Sequence, residues 1–146
     1  MKLITKNRKA YFEYEIIEIF EVGIILLGSE VKSIRNNNIN INDCYAYVSN
    51  NEIFVKNMKI SRYKQMHSLL IHDENREKKL LLHKKEINKI TKALQDKGTT
   101  LIVLEVYINQ NKIKIKLAIA KGKKLWNKKE SIKARDIDRQ TKQELN

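Results

Sequence analysis

The chain has no proline, and its four glycines, Gly23, Gly28, Gly98 and Gly122, stand far apart. P-loops and dinucleotide-binding turns need clustered glycines so that backbone amides can close on a phosphate, and no such cluster exists here. The lone cysteine, Cys44, rules out an internal disulfide and fits a reducing, cytoplasmic setting. No stretch nears the ~18 consecutive apolar residues of a membrane span. The basic start, Met1 to Lys9, lacks the apolar run of a secretory signal, so no membrane partner is expected. His67, His72 and His83 lack the i,i+4 spacing of a zinc pair and have no cysteine to help them, so no metal and no cofactor are expected. Ser/His/Asp, Cys/His and paired-carboxylate sets are missing too. Glu30, Asp43 and Asp73 have no recognisable catalytic spacing, which leaves a hydrolase or nuclease without support.

Acid is missing from one long stretch. Between Glu105 and Glu130 there is no acidic residue, yet Lys112, Lys114, Lys116, Lys121, Lys123, Lys124, Lys128 and Lys129 all fall there. Net charge is +13 and 24 of the 30 basic residues are lysine. Ile and Asn are plentiful as well, the mark of an A+T-rich coding sequence, so the total charge says less than its placement. Residues 121–142 alone carry nine positive and three negative side chains, nearly half the net charge. Lys112, Lys114 and Lys116 alternate with apolar residues and are expected on one strand face, leading into a positive tail. Such a surface suits a polyanion, because each phosphate it neutralises releases condensed counterions. Nucleic acid is the expected partner.

The 146 residues suffice for one domain with a single core. Tyr11 to Leu27 reads as strand, with Phe12, Tyr14 and Ile16 alternating with Glu13 and Glu15. The phase slips at Ile16–Ile17, which implies either a bulge or two strands; a hairpin turning at Val22–Gly23 is the favoured reading. Ser29 is expected to cap a short helix whose Val31 and Ile34 face inward, leaving Glu30, Lys32, Ser33 and Arg35 in solvent. Residues 36–43 form a polar connection. Tyr45 to Val48 and Ile53 to Met58 read as strands joined through Asn50–Asn51, since Asn tolerates positive φ. Ser61 to Lys79 reads as a long polar loop. A helix over Lys85–Lys97 carries the stripe Ile87, Ile90 and Leu94 and stops at Gly98. Leu101–Ile108 and Lys112–Ala120 are the last strands. The fold class is therefore mainly β with short helices: an OB-type closed antiparallel β-barrel over residues 1–120. Residues 121–146 form a flexible basic C-terminal tail, disordered when free.

Each candidate residue has a plain reading beside its functional one. Lys121-Gly122-Lys123-Lys124 is either a phosphate grip, in which glycine admits close backbone approach, or an ordinary solvated terminus. Glu30 either caps a helix or accepts hydrogen bonds from base N–H groups or a ribose 2′-OH. Asn57 and Tyr63 offer an amide reader and a stacking face, or simply turn chemistry and a core aromatic. Trp126 lies outside the barrel pattern and could stack on a base or pack on the barrel rim.

Five segments stand in order along the chain: Asn7-Arg-Lys-Ala10, Gly28-Ser-Glu-Val-Lys-Ser-Ile-Arg35, Asn57-Met-Lys-Ile60 with Tyr63, Lys79-Leu-Leu-Leu-His-Lys-Lys-Glu-Ile87, and Ala120-Lys-Gly-Lys-Lys-Leu125. Together they resemble the bacterial SsrA-binding protein family, also called small protein B, over nearly the whole chain. The resemblance implies a monomeric cytoplasmic adaptor, not an enzyme, whose oligonucleotide-binding barrel grips the tRNA-like domain of transfer-messenger RNA at its elbow. It implies RNA-facing roles for Glu30, Lys32, Ser33, Arg35, Asn57, Tyr63, Lys121, Gly122, Lys123 and Lys124. It further implies that Lys128, Lys129, Lys133 and Arg135 in the tail contact the small-subunit decoding centre and empty message channel of a stalled 70S ribosome. Where the family commonly has Asp-Lys-Arg, this chain has Asn127-Lys128-Lys129. The alternative is a general OB-fold single-stranded RNA-binding protein.

Overall fold

The structure, a computed structural model, describes residues 1–62 and 72–123. Among them the chain is mainly β with short helices. It runs β1 (Lys2–Lys6), α1 (Arg8–Glu13), β2 (Tyr14–Ile24), α2 (Gly28–Arg35), β3 (Ile39–Asn40), β4 (Tyr45–Ser49), β5 (Glu52–Lys56), β6 (Lys59–Ile60), β7 (Lys78–Leu81), α3 (Lys84–Ala93), β8 (Thr99–Asn109) and β9 (Lys112–Gly122). Hydrogen-bonded neighbours follow the order β1-β8-β4-β5-β7-β2-β9, and β9 pairs again with β8. The circuit from β8 through β4, β5, β7, β2 and β9 thus returns to its starting strand. β1 pairs with the far half of β8, at Glu105–Ile108, while β4 takes Leu101–Ile102. β3 and β6 form a separate two-stranded ribbon.

Period-2 alternation explains the longest strands. Ile113, Ile115, Leu117 and Ile119 of β9 join the main core with Phe20, Val22, Ile53, Val55, Leu80 and Val103. Each such fully buried side chain contributes about 1.5–3 kcal/mol. Lys112, Lys114 and Lys116 take the opposite face, as expected. On that same outer face further along, Ala118 and Ala120 pack with Ala10, Ile102 and Leu104 in a second, smaller cluster. The alanines leave room for α1 to lie close against the sheet. Two-residue hairpin turns also follow expectation: Asn50 and Asn51 have φ of 52° and 62°, and Gln110 and Asn111 of 52° and 65°. The stripe on α3 faces the core through fully buried Ile90, with Ile87 and Leu94 partly buried.

Several expectations are overturned. Tyr11 to Glu13 are helical, because Asn7 caps α1 by accepting the Ala10 N–H at 3.1 Å. No hairpin forms at Val22–Gly23; β2 runs on through it, and the phase slip is a bulge against β9 between Ile16 and Glu18. Gly23 does not have positive φ, and a Cβ there would meet the Leu81 side chain at 3.4 Å. Leu27 precedes α2 instead of Ser29, and the Glu30 carboxylate accepts the Leu27 N–H at 2.8 Å. The strand after Asn51 ends at Lys56 because Asn57 is left-handed, with φ 62°. From His72 onward the supposed loop is built into the core: His72 meets Ser29 Oγ at 2.9 Å and the Ile60 carbonyl at 2.8 Å.

Candidate nucleic-acid interface

One end of the sheet carries a cleft of about 380 Å³ between α1, the 42–45 turn and Asn57. Its lining includes buried Ala10, Cys44 and Ile102, and exposed Lys9, Asn42, Asp43, Tyr45 and Asn57. Asn7 holds the walls together. Besides capping α1, its Nδ2 donates to the Ile41 carbonyl at 3.2 Å and its backbone N–H to Leu104 at 2.7 Å. Burial pushes the Cys44 thiol up to about 12, with nearby Lys78 partly opposing that rise, so the cysteine is a neutral part of the cleft. The end of β9 reaches the same region: Gly122 lies opposite Tyr14, and the Lys123 N–H donates to the Glu13 carbonyl at 3.1 Å. Lys123 Nζ sits 5.9 Å from the Phe12 ring centre. Lys121 is exposed, opposite Glu15 and Thr99. Lys9, two amides and an aromatic side chain, Tyr45, thus line one concavity, with the Lys121–Lys123 strand end at its rim.

The lysine face of β9 is a different surface. Register puts Lys116 between Glu21 on β2 and Glu105 on β8, and its Nζ lies 3.5 Å from Glu105. Glu105 also accepts the Tyr11 hydroxyl at 2.8 Å, and Glu21 accepts that of Tyr107. Burial and these carboxylates raise both tyrosine pKa values, Tyr11 to about 12. Positive charge there is partly neutralised. The face also fails to run on into Lys121: α1 covers Ala118 and Ala120, and strict alternation along β9 puts Lys121 on the other side of the strand, in phase with Leu117 and Ile119. Lys32 and Arg35 are exposed on α2, and Arg35 Nη2 donates to the Asn111 carbonyl at 3.1 Å, beside Lys112. From Lys112 to Lys121 the strand spans roughly 30 Å at about 3.3 Å per residue. The expected RNA-facing cations therefore form two groups at opposite ends of β9.

Glu30 faces inward, against expectation. Its side chain is fully buried, and Arg76 grips it with Nη2 at 2.6 Å and Nε at 3.0 Å. Burial opposes its ionisation. The Arg76 fork, the Leu27 N–H and nearby Lys78 outweigh that and hold the carboxyl below the usual range. Lys78 is itself buried, donating to the carbonyls of Met58 at 3.0 Å and of Arg76. Burial lowers its pKa, with Glu30 partly offsetting the fall. Ser33 is buried as well, its hydroxyl without a partner among the described residues. Neither Glu30 nor Ser33 is available to read a base edge; Glu30, with Ser29 bonded to His72, belongs to a polar layer joining α2 to the 72–78 segment.

Residues 4–146 match the family described as SmpB protein. The chain belongs to the SmpB family. An SsrA-binding protein of Persephonella marina is 47% identical over 140 residues, covering 96% of this chain and 91% of that protein. One from Wolbachia pipientis is 48% identical over 141 residues, covering 96% and 94%. A solved chain described by the words "tmRNA-SmpB: a journey to the center of the bacterial ribosome" superimposes with a TM-score of 0.68 at 37% identity, covering 82% of this chain and 84% of that one. Of the segments that carry the SmpB resemblance, Asn7–Ala10 and Asn57 reach the cleft, Ala120–Lys123 pairs with its rim residues Thr100, Tyr14 and Glu13, and Gly28–Arg35 lies with the Asn111 turn. Tyr63, Lys124, Trp126, Lys128, Lys129, Lys133 and Arg135 lie outside the described residues. Lys9, Asn42 and Tyr45 were not singled out from sequence. Lys9 lay within the Asn7–Ala10 signature, but nothing local marked the other two.

Proposed function

We propose that this chain is an RNA-binding adaptor, not an enzyme, that binds the tRNA-like domain of transfer-messenger RNA (SsrA RNA) and delivers it to stalled ribosomes for trans-translation. The observation that carries this reading is the gathering of Lys9, Asn57 and Tyr45 in one cleft, with the Lys121-Gly122-Lys123 strand end bonded to its rim at Glu13 and Tyr14, in a member of the SmpB family. Relatives named for SsrA binding, and a neighbour named with tmRNA and the ribosome, support it. The circuit of strand pairings fits an OB-type barrel, a scaffold suited to oligonucleotides. Lys121, Gly122 and Lys123, with Lys124, grip phosphates; Asn57 and Tyr63 meet bases; Lys32 and Arg35 touch a second stretch of the same RNA. Lys128, Lys129, Lys133 and Arg135 reach the decoding centre and the empty message channel. The protein acts as a cytoplasmic monomer. No helix among the described residues is long and apolar enough to cross a membrane.

Deletion of residues 126–146 tests the division of labour. The truncated chain should keep its affinity for the tRNA-like domain and lose rescue of stalled ribosomes in a reconstituted translation assay. Loss of RNA affinity itself would break the scheme. The stacked pair Tyr47–Phe54, with ring centres 5.8 Å apart on the β4–β5 hairpin, keeps a general single-strand binder as the second reading. Equal affinity for poly-U and for the tRNA-like domain would favour it.

A further inference from the structure

The cleft beside α1 has a composition that neither phosphate binding nor fold stability explains. Ala10, Cys44 and Ile102 give it a buried apolar lining, where a phosphate would gain nothing. Its exposed lining holds two amides, Asn42 and Asn57, and two carboxylates, exposed Asp43 and half-buried Glu13, beside the single cation Lys9. Carboxylates repel a backbone phosphate, but they accept hydrogen bonds from amino and imino groups. Tyr45, 39% exposed, supplies an aromatic side chain to the same lining. The volume of about 380 Å³ exceeds that of a single nucleobase, leaving room for water or sugar.

Building on the RNA-binding function above, we propose that this cleft receives one unpaired nucleobase turned out of its stack, with Tyr45 as the stacking face and Asn57 and Asp43 reading the base edge. Asp43 can accept from a ring N–H or an exocyclic amine, and guanine alone presents the two side by side, N1–H and the N2 amine, which favours it over the other bases. Phosphates flanking the base fall to Lys9 on one side and to Lys121 and Lys123 on the other. A second groove, which shares Tyr45 and Thr100 with the cleft and continues past Tyr47, gives the neighbouring nucleotide a course along the surface. Asn57 suits its position twice over. It tolerates φ of 62°, and its amide both donates and accepts.

The test uses the full chain and the tRNA-like domain of transfer-messenger RNA, with 2-aminopurine placed singly at each unpaired loop position. Wild-type protein should change the emission strongly at one position. Tyr45→Ala should abolish that change and weaken binding roughly ten- to a hundredfold, the usual worth of one stacked base, without altering the salt slope. Tyr45→Phe should restore both, and Asn57→Gly, which keeps the left-handed backbone, should lose affinity with the slope intact. Overturning results are unchanged affinity in both Tyr45→Ala and Asn57→Gly, a fall in salt slope of about one in either variant, or equal emission changes at every loop position. Failure of the wild-type chain to bind this RNA at all would instead refute the proposed function.

Discussion

Replacing Glu30 with alanine leaves three groups without their acceptor or counter-charge. Arg76 loses a two-pronged partner at 2.6 and 3.0 Å, the Leu27 N–H loses its acceptor at 2.8 Å, and buried Lys78 loses a nearby negative charge. Breaking a buried ion pair costs about 3–5 kcal/mol because the remaining charge stays uncompensated. The Arg76 side chain is 33% exposed, so water solvates part of the freed guanidinium and lowers the expectation to about 2–4 kcal/mol. That corresponds to a fall of roughly 10 °C in melting temperature. Urea unfolding followed by far-ultraviolet circular dichroism should show an earlier midpoint with an unchanged slope. Glu30→Gln keeps an acceptor for Leu27 and should cost roughly 1–2 kcal/mol. A double-mutant cycle with Arg76→Met should give a coupling of about 1–3 kcal/mol. The pH dependence has a definite sign. A carboxyl held below its unfolded value of about 4.3 contributes stability above that pH and loses it as pH falls through the folded value. Glu30→Gln should therefore flatten the acid limb of stability below about pH 4. If Glu30→Ala left the urea midpoint unmoved while RNA affinity fell tenfold, the side chain would be meeting RNA directly and the structural assignment would be wrong.

Changing both Lys121 and Lys123 to alanine should lower the salt slope of RNA binding by about 1.5, at ~0.7–0.9 per phosphate contact, whereas Lys116→Ala should change it far less because Glu21 and Glu105 flank that lysine. An equal effect from Lys116 would return the outer face of β9 to the interface. Asn51→Val should cost about 1–2 kcal/mol in urea unfolding, because a β-branched residue is strained at φ 62°, while Asn51→Gly should cost nothing. A silent Asn51→Val would argue against the tight two-residue turn. Cys44, its thiol pushed up to about 12, should resist iodoacetamide at pH 8 in the folded chain and react readily in urea. Rapid labelling of the native protein would contradict its burial.

Local pattern made much of the fold legible. Alternation gave β9, the apolar run Leu101–Leu104 gave β8, the helical stripe gave α3, and the paired asparagines gave the β4–β5 turn. What failed depended on partners distant in sequence. Phe12 alternates with Tyr14 and Ile16 as a strand does, yet only the latter two are strand, because Asn7, pinned to Ile41 and Leu104, starts a helix that runs through Phe12 to Glu13. Ile17 is a bulge residue only because β9 lies alongside, a fact that no reading of β2 alone could supply.

The site obeys the same logic through electrostatics. Lys32 and Arg35 are close to Glu30 in sequence and looked like its companions on one exposed face. Its actual partner is Arg76, in a segment with no periodicity to announce it. Likewise, residues 106–129 contain no acid, but strand pairing sets Glu21 and Glu105 on either side of Lys116. Charge counted along the chain and charge counted across a sheet are different quantities, and an approaching phosphate responds to the second. The cations with most to gain from RNA are therefore those at strand and helix ends, where the sheet no longer supplies a facing carboxylate on both sides. Lys9 and Lys123 meet that condition beside the cleft; Lys116, in the middle of the lysine run, does not.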